Sequence, residues 1–202
     1  MPLIYEKVDG KLICIDSEIP FELPAGWAWC RLNACCVKEI RRGKSPKYDE
    51  RGTTLVFAQK CNTKHEGINI SLALRLDDDT LVKYPSDEYM VSDDIVINST
   101  GTGTLGRVGI YRDSDASKGT PVVPDSHITI IRTSIHVRAE YIYTYLKSMQ
   151  ATLEKMGEGS TNQKELKPIS LISLLAPIPP LHEQDRIITG IENMMISLST
   201  IL

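Results

Sequence analysis

Apolar positions fall into short runs split by polar and proline-rich breaks, with two longer helical stripes in the second half. Lys11 to Ile15 predicts a short strand, and Thr53 to Gln59 a second one rich in β-forming residues. Ile68 to Leu76 reads as an extended or short helical piece. Asp94 to Asn98 and Arg107 to Arg112 are bounded apolar runs and predict strands, and Thr120 to Val123 and His127 to Arg132 add more. Glu140 to Met156 predicts a helix, because Tyr141, Ile142, Tyr145, Leu146, Met149, Leu153 and Met156 share one face and Gly157 ends it. Ile169 to Leu175, with Pro168 before it and Pro177 after, predicts a short buried strand.

The last stripe starts at His182, after Pro177, Pro179 and Pro180 force a change of element. Ile188, Ile191, Met195, Leu198 and Leu202 recur three and four apart, a heptad-like seam with a polar opposite face. Glu183 and Asp185 fall in the first turn, where the helix dipole favours anions. No glycine, proline or basic last turn closes the pattern. The expectation is that this apolar face meets either the rest of a longer protein or another subunit.

Composition changes this picture little. The chain has 202 residues, 42% apolar and 24% charged, which suits a folded domain with a core. No run of 18 apolar residues occurs and Met1 to Lys7 lacks the features of a signal peptide, so a cytoplasmic location is expected. The five cysteines (Cys14, Cys30, Cys35, Cys36 and Cys61) include no C-x-x-C pair, and the four histidines are scattered. Neither a disulfide framework, a zinc site nor a bound cofactor is expected.

Charge changes it more. A formal net charge of −3 argues against a nucleic-acid binder, whose usual footprint is basic. The distribution offsets this: Lys38, Arg41, Arg42, Lys44 and Lys47 face one acid, Glu39, in the same stretch. The acids gather elsewhere, at Asp77-Asp78-Asp79, Asp87, Glu88, Asp93 and Asp94, so a polarised surface is expected.

The motif with most apparent chemistry is Ser99-Thr-Gly-Thr-Gly-Thr-Leu-Gly106, which fits G-x-G-x-x-G. A dinucleotide site would need a helix to open inside the motif, and the following Arg107 to Arg112 is strand-like instead. A nucleotide-binding enzyme using Gly101 to Gly106 therefore stands as an alternative, and a non-catalytic interaction scaffold as another. No hydrolase, metalloprotease or amino-methyltransferase motif is present, and catalysis by this chain is not expected. Three polar loops instead carry the residue types that meet DNA. They supply Arg41, Arg42, Lys44, Lys47 and Tyr48; then Ser99, Thr100, Thr102, Thr104 and Arg107; then Thr161, Asn162, Gln163 and Lys164.

Four pieces in order, Ile19 to Leu32 (IPFELPAGWAWCRL), Asp94 to Gly109, Gly159 to Lys164 and Pro177 to Gln184, resemble the specificity subunits of type I restriction–modification systems. The resemblance implies an α/β (α+β) target recognition domain over residues 1–176, with a twisted, mostly antiparallel sheet. A coiled-coil or dimerisation helix over residues 177–202 would follow, pairing with its counterpart from a second recognition half. It also implies a non-catalytic module that reads one half of a bipartite duplex target and positions modification (methyltransferase) and restriction (endonuclease) subunits. Members of the family commonly carry two recognition domains, whereas this sequence shows one.

Overall fold

The structure, a computed structural model, describes residues 4–8, 10–159 and 164–200. Among the described residues eleven strands and four α-helices follow one another, with short 3-10 turns between. The strands are β1 (Tyr5–Val8), β2 (Lys11–Cys14), β3 (Ala28–Arg31), β4 (Arg41–Arg42), β5 (Leu55–Phe57) and β6 (Leu74–Arg75). They continue as β7 (Ile95–Asn98), β8 (Val108–Ile110), β9 (Val122–Pro124), β10 (Ile128–Ile131) and β11 (Leu175–Ile178). The helices are α1 (Ala139–Ser148), α2 (Gln150–Lys155), α3 (Pro168–Ile172) and α4 (Leu181–Ser199).

A four-stranded antiparallel sheet in the order β4-β10-β7-β8 forms the centre. β7 is buried along its whole length and so is apolar on both faces. Ile95 and Ile97 point to one core with Ile131, Val108, Ile142, Leu146 and Leu153, where the helices lie. Val96 points the other way, to Phe57, Met90, Tyr111, Ile128 and Ile130. The register Ile130↔Val96 and Ile131↔Ile95 keeps each core on one side, since side chains alternate along a strand.

A three-stranded sheet β6-β5-β9 flanks this centre, and two-stranded ribbons β1-β2 and β3-β11 complete the fold. β5 and β9 run parallel, so the expected antiparallel architecture holds for the central sheet but not for every pair.

Three expectations need correction. Ile169 to Leu175 is not a strand: Pro168 opens α3 at its first turn, where a missing N–H costs nothing, and Ser173 Oγ donates back to Ile169 O at 2.8 Å. The strand lies later, at β11, and contains Pro177 opposite Trp29. A residue's N–H and C=O leave a strand on the same side. Tyr141 Oη donates to Pro177 O at 2.6 Å and Tyr145 Oη to Leu175 O at 2.8 Å, so that side faces α1 and the ladder to β3 loses no donor. Finally, Glu140 to Met156 is two helices, broken at Met149 (ψ 4°), whose N–H bonds to both Tyr145 O and Leu146 O.

The N-terminal ribbon is held by one side chain. Arg31, on β3, donates to Glu6 Oε2 at 2.8 Å, to Glu18 Oε2 at 2.7 Å and to Ser173 O at 2.8 Å. Hydrogen bonds from Arg31 hold the carboxyls of Glu6 and Glu18 below their usual range. Depressed carboxylate values contribute stability above the unfolded-state value, near 4.3 for Glu, and that stability is lost as pH falls through the folded values. Backbone amides of residues 5–8 and 11–14 are therefore expected to lose hydrogen-exchange protection as pH falls through these lowered values, below the ordinary range of a Glu carboxyl. In Arg31→Ala that protection should already be low at neutral pH. Equal protection in both proteins at neutral pH would remove Arg31 as the clamp.

Candidate nucleic-acid interface

The Gly/Thr segment forms the turn between β7 and β8. Gly101, Gly103 and Gly106 have φ of +99°, +74° and +73°, a region costly for residues with a Cβ. Gly106 has a second duty: a Cβ there would lie 2.7 Å from Glu154 N and 3.1 Å from Leu153 C, on α2. The third glycine of the motif thus admits a helix against the hairpin. A strand, β8, follows the motif where a dinucleotide site would need a helix, and nothing here supports the nucleotide-binding alternative.

Buried amides fix this hairpin to the turn at residues 59–62. Asn98 is fully buried and accepts from Asn62 Nδ2 at 3.1 Å, while its own Nδ2 donates to Gln59 O at 3.3 Å. Asn62 Nδ2 also donates to Arg107 O at 3.1 Å. Arg107 replies with its guanidinium, to Asn62 O at 2.8 Å and Gly103 O at 3.1 Å. Gln59 Nε2 donates to Thr100 Oγ1 at 2.6 Å, and Thr100 Oγ1 also meets His127 Nδ1 at 2.9 Å. Each buried polar group here has a partner, as a rigid network requires.

The structure brings Lys164 and the residues flanking the third predicted loop to the second loop. Thr100 and Glu158 both bridge to Glu165, and Leu166 N donates to Ser99 O at 2.8 Å. Lys164 is exposed and, with Gly101, Thr102, Gly103, Leu105 and Glu154, lines a hollow of about 180 Å³. Thr161, Asn162 and Gln163 lie outside the described residues. Ser99 is fully buried, its Oγ 2.5 Å from Thr129 Oγ1, and Thr104 Oγ1 donates to Thr100 O at 3.1 Å. Both therefore shape the turn, and Thr102 is its exposed threonine.

The first loop divides. Arg41 and Arg42 are successive residues of β4 and point to opposite faces. Arg42 joins the hairpin side, pairing with Glu165 Oε1 at 2.7 Å and donating to Leu166 O at 2.9 Å. Arg41 lies 2.7 Å from both Asp87 and Glu88. Lys44 is 3.6 Å from Glu88 and 5.8 Å from the centre of the Tyr84 ring, and Lys47 is 2.6 Å from Asp77. Tyr48 is exposed and bridges to Leu76.

The expected charge polarisation is thus corrected over this stretch. Acids distant in sequence, from Asp77 to Glu165, fold onto the basic run and balance it. Lys47 holds the Asp77 carboxyl below its usual range, and burial pulls the Lys38 ammonium down despite nearby Glu88. Asp77 is no solvated loop residue: it is buried and caps the 3-10 turn Asp78–Lys83 by accepting from Asp79 N at 3.1 Å.

The C-terminal helix also divides. Gln184 is buried, accepts from Arg138 N at 2.8 Å just before α1, and donates to Pro179 O at 2.9 Å. Arg138 Nε meets Asp185 at 2.7 Å, and Ile187 and Ile188 pack on the main core. Ile191 is half-buried, whereas Met194, Met195, Ile196 and Leu198 are all more than half exposed. Leu202 lies outside the described residues. Among the described residues no group of His, Cys, Asp and Glu is placed to hold a metal ion, and no helix is long and apolar enough to cross a membrane.

Sequence reasoning missed Gln59, Asn62, His127 and Gln184. The one available signal was Asn98 at the end of an apolar run, a buried amide that must find partners. Which residues supply them is set by contacts more than 30 residues apart.

A family model described as a type I restriction modification DNA specificity domain matches residues 37–200. The type I restriction enzyme EcoEI specificity subunit of Escherichia coli is 27% identical over 196 residues, covering 88% of this chain and 30% of that protein. A chain from a structural study of complex assembly and conformational transition of the type I R-M system superposes with a TM-score of 0.69. It is 20% identical, over 90% of this chain and 41% of that one. The HsdS subunit from Thermoanaerobacter tengcongensis gives a TM-score of 0.65 at 20% identity, over 90% and 40%. The likeness to these two structures is one of fold, and the chain spans less than half the length of each of the three proteins.

Proposed function

Since the chain belongs to the type I restriction modification DNA specificity domain family, matched over residues 37–200, we propose that it reads one half of a two-part duplex DNA target. The family match carries this reading, and the geometry supports it. Thr102 and Lys164 stand exposed beside one hollow, on a turn whose backbone is pinned by buried amides. Side chains on a rigid support can meet base edges and phosphates without losing much freedom. In this reading catalysis resides in partner subunits. The module holds a modification (methyltransferase) subunit so that a base can be flipped out and methylated, and it positions a restriction (endonuclease) subunit.

The exposed half of α4 supports a second element of the proposal. Residues 1–176 act as the recognition domain, and residues 177–202 as the region whose helix α4 pairs with its counterpart from a second recognition half. Ile188 and Ile191 begin that seam near the domain, and Met195 and Leu198 present it openly. Four large apolar side chains exposed within five residues form a patch of the kind that marks an association surface.

The test is to express the gene with its neighbouring modification subunit in a host free of adenine methylation and to map methylated adenines across the genome. One sharply defined motif is expected. A symmetric split motif would mean that two copies pair, and an asymmetric one a different second half. No methylation, with both proteins soluble and in complex, would overturn the reading.

A further inference from the structure

Positive charge on this molecule is committed unevenly. Arg41, Arg42, Lys44 and Lys47 each hold an acid of the chain. Lys60 and Lys64 are exposed and form no ion pair or side-chain hydrogen bond among the described residues. They stand two residues to either side of buried Asn62, whose side chain and carbonyl tie the turn to Asn98 and Arg107.

The turn carrying Lys64 is itself ordered. Asn62 bridges to Ile68, Thr63 N donates to Gly67 O at 2.9 Å, and Glu66 N donates to Thr63 Oγ1 at 3.0 Å. Gly67 closes it with φ +71°. Arg107 joins this turn to the Gly/Thr hairpin, with one arm on Asn62 O and the other on Gly103 O. The two turns are therefore tied together, with Lys60 next in sequence to Gln59, which holds Thr100, and Lys64 two residues from Asn62, which Arg107 joins to Gly103. The acids around them are Glu66 in the same turn, buried Asp125 against His127 N, Glu154 across the hollow, and Glu158 and Glu165, which are held by Lys167 and Arg42.

We propose that Lys60 and Lys64 hold the sugar–phosphate backbone of duplex DNA and set the register of the Gly/Thr hairpin on it. This rests on the reading of the chain as a DNA specificity module. Lysine is a compact charge on a flexible stem, suited to a phosphate and poor at telling one base from another. The fixed Asn62 anchor leaves little but the lysine stems to order on contact.

The experiment measures binding of the full chain to a labelled mixed-sequence duplex of about 30 base pairs across a salt series. Each phosphate contact contributes about 0.9 to the slope of log affinity against log salt. Lys60→Gln and Lys64→Gln should each lower the slope by about 0.9, and the double variant by about 1.8. Between about 50 and 200 mM salt the double variant should lose roughly tenfold less affinity than the parent. Its methylation motif in the co-expressed complex should be unchanged.

A parent that binds while the double variant keeps its slope overturns the inference alone. An equal drop from Lys118→Gln, an exposed lysine outside the two turns, would show diffuse attraction and overturn it too. A changed motif would make these base-reading residues instead and likewise overturn the phosphate assignment. A parent that binds no duplex overturns the DNA reading and this inference with it.

Discussion

Gly106→Ala is expected to unfold at a markedly lower urea concentration than Gly103→Ala, although both glycines have nearly the same φ, +73° and +74°. A left-handed backbone costs a residue with a Cβ about 1–2 kcal/mol, and both variants bear that cost. At Gly103 nothing lies within 4 Å of the added atom. At Gly106 it meets the backbone of Glu154 and Leu153, which cannot swing aside as a side-chain tip would. Overpacking of this kind costs about 1–3 kcal/mol more. The expected losses are thus about 1–2 kcal/mol for Gly103→Ala and about 2–5 kcal/mol for Gly106→Ala. Equal losses in the two variants would refute the helix-contact account of the motif's third glycine.

The second large effect lies at the start of β7. Asp94 is fully buried and takes two hydrogen bonds from Arg132, at 2.7 and 2.8 Å, and one from Val91 N at 3.0 Å. Arg132 also donates to Tyr89 O at 2.8 Å. Arg132→Met should cost about 3–5 kcal/mol, because it strands a carboxylate away from water. Adding Asp94→Asn should return part of that loss, since an amide without its cation is far less costly to bury than a charge. Chemical denaturation of the single and double variants decides it. A double variant no more stable than Arg132→Met would mean that lost packing, not the stranded charge, sets the cost.

The strands of the centre were legible because burial on both faces writes itself into the chain: Ile95-Val-Ile is apolar whichever way each residue points. Short elements were less so. Ile169 to Leu175 carries the same apolar content, and the difference between helix and strand there rests on Pro168 at a helix start, a local rule that outweighed composition. The break at Met149 left the apolar stripe intact and could not be seen in its spacing.

At the candidate site the strand–turn–strand around the Gly/Thr segment was readable, and the charge balance was not. Arg41 and Lys47 look free in sequence because Asp87 and Asp77 are 46 and 30 residues away. Conversely, Lys60 and Lys64 sit in an unremarkable stretch, and only folding shows that their turn is tied to the Gly/Thr turn and that they remain uncommitted. A basic run in sequence counts charges before the fold has matched them.

The pinned double hairpin also bears on how such a protein could change over generations. Its shape is held by buried groups, Asn62, Asn98 and the backbone around Gly106, while Thr102 and His65 stand in solvent. Exchanging exposed side chains away from structural contacts typically alters stability by no more than about 0.5 kcal/mol. The tip can therefore drift through many side-chain combinations without passing through an unfolded intermediate sequence. If these residues meet DNA, a new target preference is open to this lineage at almost no structural cost.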